Sequence, residues 1–387
     1  MPAIDVPQPG FMDEEEIAVF ADAVGKFYEK HAPEARVLKW REEGQVDRDF
    51  WREAGEAGLL GASVPEEYGG HGGDFRHEMV VIDQQGRHNV EGFAASLHNT
   101  IILPYLVRHG TEEQKKKYLP KLVSGELVSA IAMTEPGVGS DLQSITTTAI
   151  RDGNGYKING AKTYISNGQI ADFIIVVAKT DPNERAKGIS LMLLETDGAE
   201  GFQRGKKLDK IGLDAQDTSE LFFDDVFVPS DAVLGGEEGK GFYQLMGELP
   251  QERLIIAMGA MTTIERALEE TIAFTKDRKA FGKTIWDFQN TQFTLADLKA
   301  RATAAKVFVN HCIAQHLEGK LDVPTACMAK LWLTELQGEV VDKCLQLHGG
   351  SGYINDYPIA RMFRDSRVSR IFGGSNEIMK MVIARSM

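Results

Sequence analysis

The chain reads as a multidomain α+β protein, helix then strand then helix, on three observations. Apolar residues recur at three- and four-residue steps through the first third. Near residue 129 the texture changes to short apolar runs separated by Gly, Asp and Pro, the composition of strands and turns. Helical periodicity returns after Gly241 in stripes long enough for a bundle. The prediction is an N-terminal α-helical domain over 1–128, a middle antiparallel β-barrel or sandwich domain over 129–240, and a C-terminal four-helix bundle over 241–387.

In the first region Ile17, Phe20, Val24 and Phe27 mark one face of an amphipathic helix. Phe50, Ala54 and the Ala-Gly-Leu-Leu-Gly stretch ending at Gly61 predict a second helix with a glycine stop. Residues 76–126 predict several more, broken at Gly110 and by Pro104 and Pro120. In the second region, 156–166 alternates around Asn159-Gly160, a hairpin-turn dipeptide. Further strands are expected over 173–178, 189–194 and 221–228. In the third region Leu254, Met258, Met261, Ile264, Leu268 and Ile272 form one stripe, and Leu295, Leu298, Ala302, Ala305 and Val309 another. A third long helix is expected over 324–347, with Pro324 in its first turn.

Acidic residues outnumber basic ones by 57 to 43, a net charge of -14, so no general basic face exists for nucleic acid. A local basic pocket for a phosphorylated ligand stays open. Cys312, Cys327 and Cys344 include no CxxC pair and no His at zinc-ligand spacing. Reduced buried thiols and no metal site are expected, and the nine histidines show no ligand cluster. No apolar run reaches membrane-spanning length. The acidic start (Asp13, Glu14, Glu15, Glu16) resembles neither a signal peptide nor an Arg-rich transit segment. A cytoplasmic protein is expected, or a matrix protein if the chain is a trimmed mature form.

Two glycine-rich segments carry the functional signal. In the first, a buried helical run ends at Gly349, Gly350 and Gly352, followed by Pro358 and a charged helix with Arg361, Arg364 and Asp365. Alone, this is equally an ordinary helix C-cap and turn, or a backbone shaped to approach a flat or charged ligand. The second is Ala132-Met-Thr-Glu-Pro-Gly-Val-Gly-Ser-Asp141, where Gly137 and Gly139 free backbone N–H groups and Thr134 and Ser140 add hydroxyls. Alone, it is equally a polar turn. No G-x-G-x-x-G follows a strand, because Gly137-Val-Gly139 meets Leu142 at its third position, so a Rossmann site is not expected. Together, in this order and separation, the two segments resemble the acyl-CoA dehydrogenase flavoprotein family. The helix–β–helix layout extends the resemblance over nearly the whole chain.

The resemblance implies the acyl-CoA dehydrogenase fold, with FAD held non-covalently between the β domain and the bundle. Met133, Thr134, Gly139 and Ser140 would contact the cofactor, and Val138 stands where the family has a smaller residue. Tyr164-Ile165-Ser166 matches an aromatic-x-Ser/Thr strand. Tyr164 would cover the ring, and Ser166 would donate near N5, the atom that receives hydride. Arg278-Lys-Ala-Phe-Gly-Lys283 resembles the family's R-x-x-F-G segment. Arg278, Phe281, Phe288, Gln289 and Gln292 would reach the FAD of a neighbouring subunit. Gln346, Leu347, Gly349 and Gly350 would complete that pocket, with Ser375 and Glu377 also at the cofactor. A homotetramer, a dimer of dimers, follows.

Removing a proton α to a thioester needs a base, and a carboxylate serves when burial lifts its pKa. Many family members place a Glu before a Gly-Thr or Gly-Ser pair. In Arg370-Ile-Phe-Gly-Gly-Ser-Asn-Glu377 that position is Gly373, which has no side chain. Long-chain and isovaleryl types place a Glu before an Arg on another helix, and Glu252-Arg253 fits. From the residues alone this is a surface ion pair; the resemblance makes Glu252 the base, with Glu248 its local competitor. Gly373 would make room and offer its N–H to the thioester oxygen. Arg253 would sit behind the base and support substrate phosphate or local electrostatics. Ser140, Tyr353 and Gly374 would touch substrate, Tyr353 in the CoA channel. His348 is expected to pack.

The implied activity is FAD-dependent α,β-dehydrogenation of a fatty acyl-CoA to trans-2-enoyl-CoA, with electrons passed to an electron-transfer flavoprotein. Glu248 to Arg253, Ala326-Cys-Met-Ala-Lys330 and Asn376-Glu-Ile-Met-Lys380 most resemble long-chain members, and an isovaleryl-type branched substrate is the alternative. Two other classes remain open. One is an acyl-CoA oxidase, disfavoured by the lack of an extra domain after the Gly373-Gly374 segment. The other is a non-catalytic flavoprotein subunit of a hetero-oligomer.

Overall fold

The computed structural model describes residues 3–7 and 9–387. Helix α1 (Glu15–His31) buries Ile17, Val24 and Phe27 of the predicted face, leaves Phe20 half-buried and adds Tyr28. Helix α2 (Glu34–Glu43) and α3 (Arg48–Glu56) follow; Asp47 caps α3 by accepting from Phe50 N at 2.8 Å. The glycine stop of α3 is Gly58 (φ 76), earlier than the expected Gly61. After α4 (Phe75–Arg87), one continuous helix runs through α5 (Ala95–Leu97), a π turn (His98–Ile102) and α6 (Leu103–His109). Pro104 does not break it, and Pro120 sits inside α7 (Glu112–Val123), near its C-terminal end. Both prolines were expected to interrupt. Pro104 directly follows the π turn, and the Thr100 carbonyl it cannot serve accepts from Gln251 Nε2 instead (2.7 Å); Pro120 forfeits only one backbone bond close to a terminus.

Seven strands form one curled sheet: β1 (Ser129–Ala132), β2 (Thr148–Asp152), β3 (Gly155–Ser166), β4 (Phe173–Lys179), β5 (Ile189–Glu195), β6 (Phe202–Lys207) and β7 (Thr218–Pro229). The order is β1-β4-β2-β3-β7-β6, with β5 beside β4. The sheet is mixed rather than purely antiparallel, because β1 runs parallel to β4 from Ser129↔Phe173 to Ala132↔Val176. The β2–β3 hairpin lies between them in sequence and lets the chain re-enter in the same direction. Asn159-Gly160 is not the hairpin turn. It forms a bulge inside β3, where a Cβ on Gly160 would come within 2.5 Å of Thr147 Oγ1. The β2–β3 turn is at Gly153-Asn154 instead, with Gly153 at φ 57.

The C-terminal part contains α8 (Gly241–Asp277), a small hairpin of β8 (Lys279–Ala280) and β9 (Lys283–Thr284), α9 (Gln289–Leu317) and α10 (Val323–His348). Two short helices complete it, α11 (Pro358–Ser366) and α12 (Asn376–Arg385). Three members of the bundle are long, and the fourth position, packed on α10, is taken by the ten-residue α12. Leu254, Met258, Met261, Ile264 and Leu268 join Leu295, Leu298, Ala302, Ala305 and Val309 in one core, as the two stripes require. The three cysteines are free and buried. No helix among the described residues is long and apolar enough to cross a membrane.

One guanidinium ties the three parts together. Arg41 donates to Glu91 Oε2 (2.5 Å), Asp214 Oδ2 (2.7 Å) and Asp365 Oδ2 (2.9 Å), from the helical, strand and bundle parts respectively. Arg361 also reaches Glu91 (3.2 Å), and Arg364 reaches Asp214 (2.6 Å). Pairing this close offsets much of the cost of burying these charges.

Candidate active site

Where the three parts meet, a cavity of about 470 Å³ opens. Its walls come from α5 and the π turn (Leu97, Ile101), the end of β1 (Ile131, Met133, Thr134), β3 (Tyr164, Ile165, Ser166), α8 (Glu252, Ile255, Ile256, Gly259) and the chain before α12 (Phe372, Gly373).

The strand side is built on a buried ion pair. Lys162 Nζ, fully buried, donates to Met133 O (2.9 Å) and Glu135 Oε1 (3.0 Å). Burial lowers its pKa to about 8. Burial alone would raise Glu135, but Lys162 and donors from Thr146 and Thr147 overcome it and hold the carboxyl at about 2. Thr134 O accepts from Thr163 N (2.9 Å), joining the loop to β3. There β3 skips register between Lys162 and Ile165, and Tyr164 takes φ 60, a conformation uncommon outside glycine. The bulge leaves the Tyr164 ring 69% exposed on the cavity wall. The Thr134 and Ser166 hydroxyls on this wall have no hydrogen-bond partner among the described residues.

On the helix side, Glu91 and Asp365 line the cavity as ion pairs with Arg41, and α8 contributes one carboxylate with no ion-pair partner among the described residues. Glu252 is 6% exposed, and its Oε1 accepts from Tyr105 OH at 2.9 Å. Burial raises its pKa to about 7; Glu248 adds to the rise, while the Tyr105 donor and Arg253 oppose it. Glu248 itself is off this wall, bonded to Arg108 and to His109 (3.0 Å). Gly373 lines the cavity at φ 60, and a Cβ there would lie 2.2 Å from Ile256 Cδ1, so no side chain fits without rearrangement. Its N–H has no partner among the described residues.

Met133, Thr134, Tyr164, Ile165, Ser166, Glu252 and Gly373 therefore share one cavity, although they are scattered through the sequence. Gly139 and Ser140 lie exposed on the adjoining loop, outside the wall. Arg253 lies beside the base but is 4% exposed, with Nη1 donating to Cys327 Sγ (3.2 Å) inside the bundle. It is placed to act electrostatically and not to bind substrate phosphate, a correction to that expectation. Tyr353 is 88% exposed on a surface turn and Gly374 faces α10, so neither lines the cavity as expected of substrate contacts. Arg278, Phe281, Gln289 and Gln292 form an exposed patch on the β8–β9 hairpin and the start of α9, with Phe288 half-buried beside them. Gln346, Gly349 and Gly350 are exposed at the end of α10, beside the half-buried Leu347; Ser375 and Glu377 begin α12. His348 stacks on Phe274 and bonds Cys344 O through Nδ1 (2.8 Å), the expected packing role.

Residues not anticipated include Tyr105, Leu97, Ile101, Ile255, Ile256 and Gly259. The last three follow Glu252 by three, four and seven positions, one helical face, so that spacing could have marked them. Nothing local points to Tyr105.

Models of the acyl-CoA dehydrogenase N-terminal, middle and C-terminal domains match residues 14–126, 130–226 and 239–387. The mitochondrial long-chain specific acyl-CoA dehydrogenase of Sus scrofa is 47% identical over 371 residues, 95% of this chain and 86% of that protein. The mitochondrial isovaleryl-CoA dehydrogenase of Pongo abelii is 38% identical over 376 residues, 96% of this chain and 88% of that protein. The crystal structure of an acyl-CoA dehydrogenase from Geobacillus kaustophilus superposes with a TM-score of 0.94 at 47% identity, covering 96% of this chain and 98% of that one. The chain belongs to the acyl-CoA dehydrogenase family, oxidoreductases acting on CH–CH bonds. Homologues in this family bind FAD.

Proposed function

We propose that this protein dehydrogenates long straight-chain acyl-CoA esters to trans-2-enoyl-CoA, with Glu252 as the base that takes the α-proton. The observation that carries this is the buried Glu252 carboxylate on the cavity wall, held near neutrality by burial where Gly373 leaves no competing side chain; the wall's other carboxylates, Glu91 and Asp365, are ion-paired to Arg41. At pH 7 such a group is about half ionised, able to accept a proton and later release it. Tyr105 orients it, and the free Gly373 N–H is available to the thioester oxygen as charge develops there. The residues fit FAD: two unpaired hydroxyls, Thr134 and Ser166, and the Tyr164 ring line the wall across from α8. When bound, FAD supplies the hydride acceptor. The exposed Arg278 and Phe281 hairpin would reach the cofactor of a neighbouring subunit in a tetramer, and an electron-transfer flavoprotein would take the electrons.

Cavity length supports the long chain over the isovaleryl alternative. The wall extends along α8 from Glu252 to Arg266, about 21 Å at 1.5 Å per residue. An extended alkyl chain advances about 1.25 Å per carbon from bonds near 1.5 Å, so roughly sixteen carbons fit. Anaerobic titration of the FAD-loaded protein with C4 to C18 acyl-CoAs and isovaleryl-CoA, following flavin absorbance, tests this. Bleaching strongest at long chains is expected. Bleaching by isovaleryl-CoA alone would reverse the substrate assignment, and no bleaching at all would end it.

A further inference from the structure

The turn that presents Gly373 has both its glycines in the left-handed region, Gly373 at φ 60 and Gly374 at φ 88. One side chain grips it. Lys330 on α10 is fully buried, with Nζ 2.9 Å from Gly374 O and 2.9 Å from Asn376 Oδ1. No carboxylate lies within ion-pair distance of this ammonium among the described residues. A buried charge with no directly paired counter-charge is costly: burial lowers its pKa to about 8, and the more distant Glu335 and Glu377 offset only part of that. A methionine or leucine would fill this space without that penalty, so packing does not explain a lysine here.

The same face of α10 holds more of the site. Asn376 Nδ2 donates to Thr334 Oγ1 (3.1 Å) and Glu335 Oε1 (2.7 Å), one turn beyond Lys330. One turn before it, Cys327 accepts from Arg253, the residue next to Glu252. Successive turns of one helix thus set both the base-bearing segment of α8 and the turn that carries the free N–H.

We propose that Lys330 is a positioning residue: by holding the Gly374 carbonyl and Asn376, it fixes the Gly373 N–H as the donor to the substrate's thioester oxygen. The inference rests on the acyl-CoA reading above. The probes are a 3-thia-acyl-CoA, which can lose its α-proton but cannot complete dehydrogenation, and a CoA thioether of equal length that lacks the carbonyl. Each is bound to the FAD-loaded native protein and to the Lys330→Met and Lys330→Arg variants.

In Lys330→Met the pH midpoint for α-proton loss from the bound thia analogue should rise by at least one unit, a tenfold loss of acidity. Thioether affinity should stay within about twofold, and Lys330→Arg should recover part of the shift. An unmoved midpoint, or equal weakening of both probes, overturns the role. If Lys330→Met does not fold, Asn376→Leu decides: it removes one acceptor and leaves Gly374, so a smaller shift in the same direction is expected and no shift overturns the proposal. If the native protein itself gives no absorbance change with the thia analogue, it is the acyl-CoA reading that fails.

Discussion

Replacing Tyr105 with Phe removes one donor from the Glu252 carboxylate and changes little else, because the ring keeps its packing. Tyr105 OH lies 2.9 Å from Glu252 Oε1 and favours the ionised form, against burial and Glu248. A hydrogen bond to a charged group contributes about 1.5–3 kcal/mol, and one pKa unit corresponds to about 1.4 kcal/mol. The base should therefore rise from about 7 by roughly one to two units. Only the ionised base accepts a proton, so the rate rises with pH through this pKa, and raising the pKa moves that rise to higher pH. At pH 7 the ionised fraction falls from about one half to between about a tenth and a hundredth, slowing flavin reduction roughly five- to fiftyfold. Rapid-mixing measurements with saturating acyl-CoA from pH 5.5 to 10 would follow this. The variant should approach the native rate near pH 9.5. A midpoint that stays near 7 while the rate falls uniformly would refute the reasoning and leave Tyr105 a packing residue.

Three further outcomes follow from the same structure. Glu252→Gln should lose activity by about 10²–10⁴-fold yet stabilise the protein at alkaline pH. Its folded pKa of about 7 exceeds the ordinary 4.5, so the folded state binds more protons and native stability falls as pH rises from 4.5 to 7. That penalty is at most about 3.4 kcal/mol, and thermal unfolding should show the variant ahead at pH 8 and level near pH 4. Gly259→Phe should restrict chain length: a Cβ there meets nothing within 4 Å, and the position lies seven residues or about 10 Å along α8 from Glu252. Rates beyond about eight to ten carbons should fall while butyryl-CoA is unaffected, and an unchanged profile would place the chain elsewhere. Arg41→Met should destabilise by about 3–5 kcal/mol, because it strands Asp365 and leaves Glu91 and Asp214 with Arg361 and Arg364 alone; an unchanged denaturant midpoint would contradict this.

What could be read from the sequence was what is local or periodic. The stripe from Leu254 to Leu268 announces a buried helix face because spacing alone determines which residues share it. Asn159-Gly160 misled because a hairpin and a bulge draw on the same residues. What decided was Thr147, packed against Gly160 from the neighbouring strand entry. Glu252 was legible only through family resemblance. Its burial arises from the α5–α6 helix packing over α8, and Tyr105 stands 147 residues away. Lys162 and Lys330 left no mark either, since a lysine in sequence is presumed solvated until tertiary structure encloses it.

The π turn at His98–Ile102 has a consequence for how this base is tuned. A π turn accommodates one residue more than regular winding, and the carbonyl of Thr100 within it is taken up by Gln251 Nε2 at 2.7 Å. Leu97 and Ile101 face the cavity before and within it, and Tyr105 meets the carboxylate after it. Deleting a single residue from this turn would restore regular winding and rotate everything beyond it by roughly 100° about the helix axis. The Tyr105 hydroxyl would then miss Glu252. The proton affinity of the base thus depends on a matter of counting, the number of residues in a segment that contributes no acid, base or donor to the reaction.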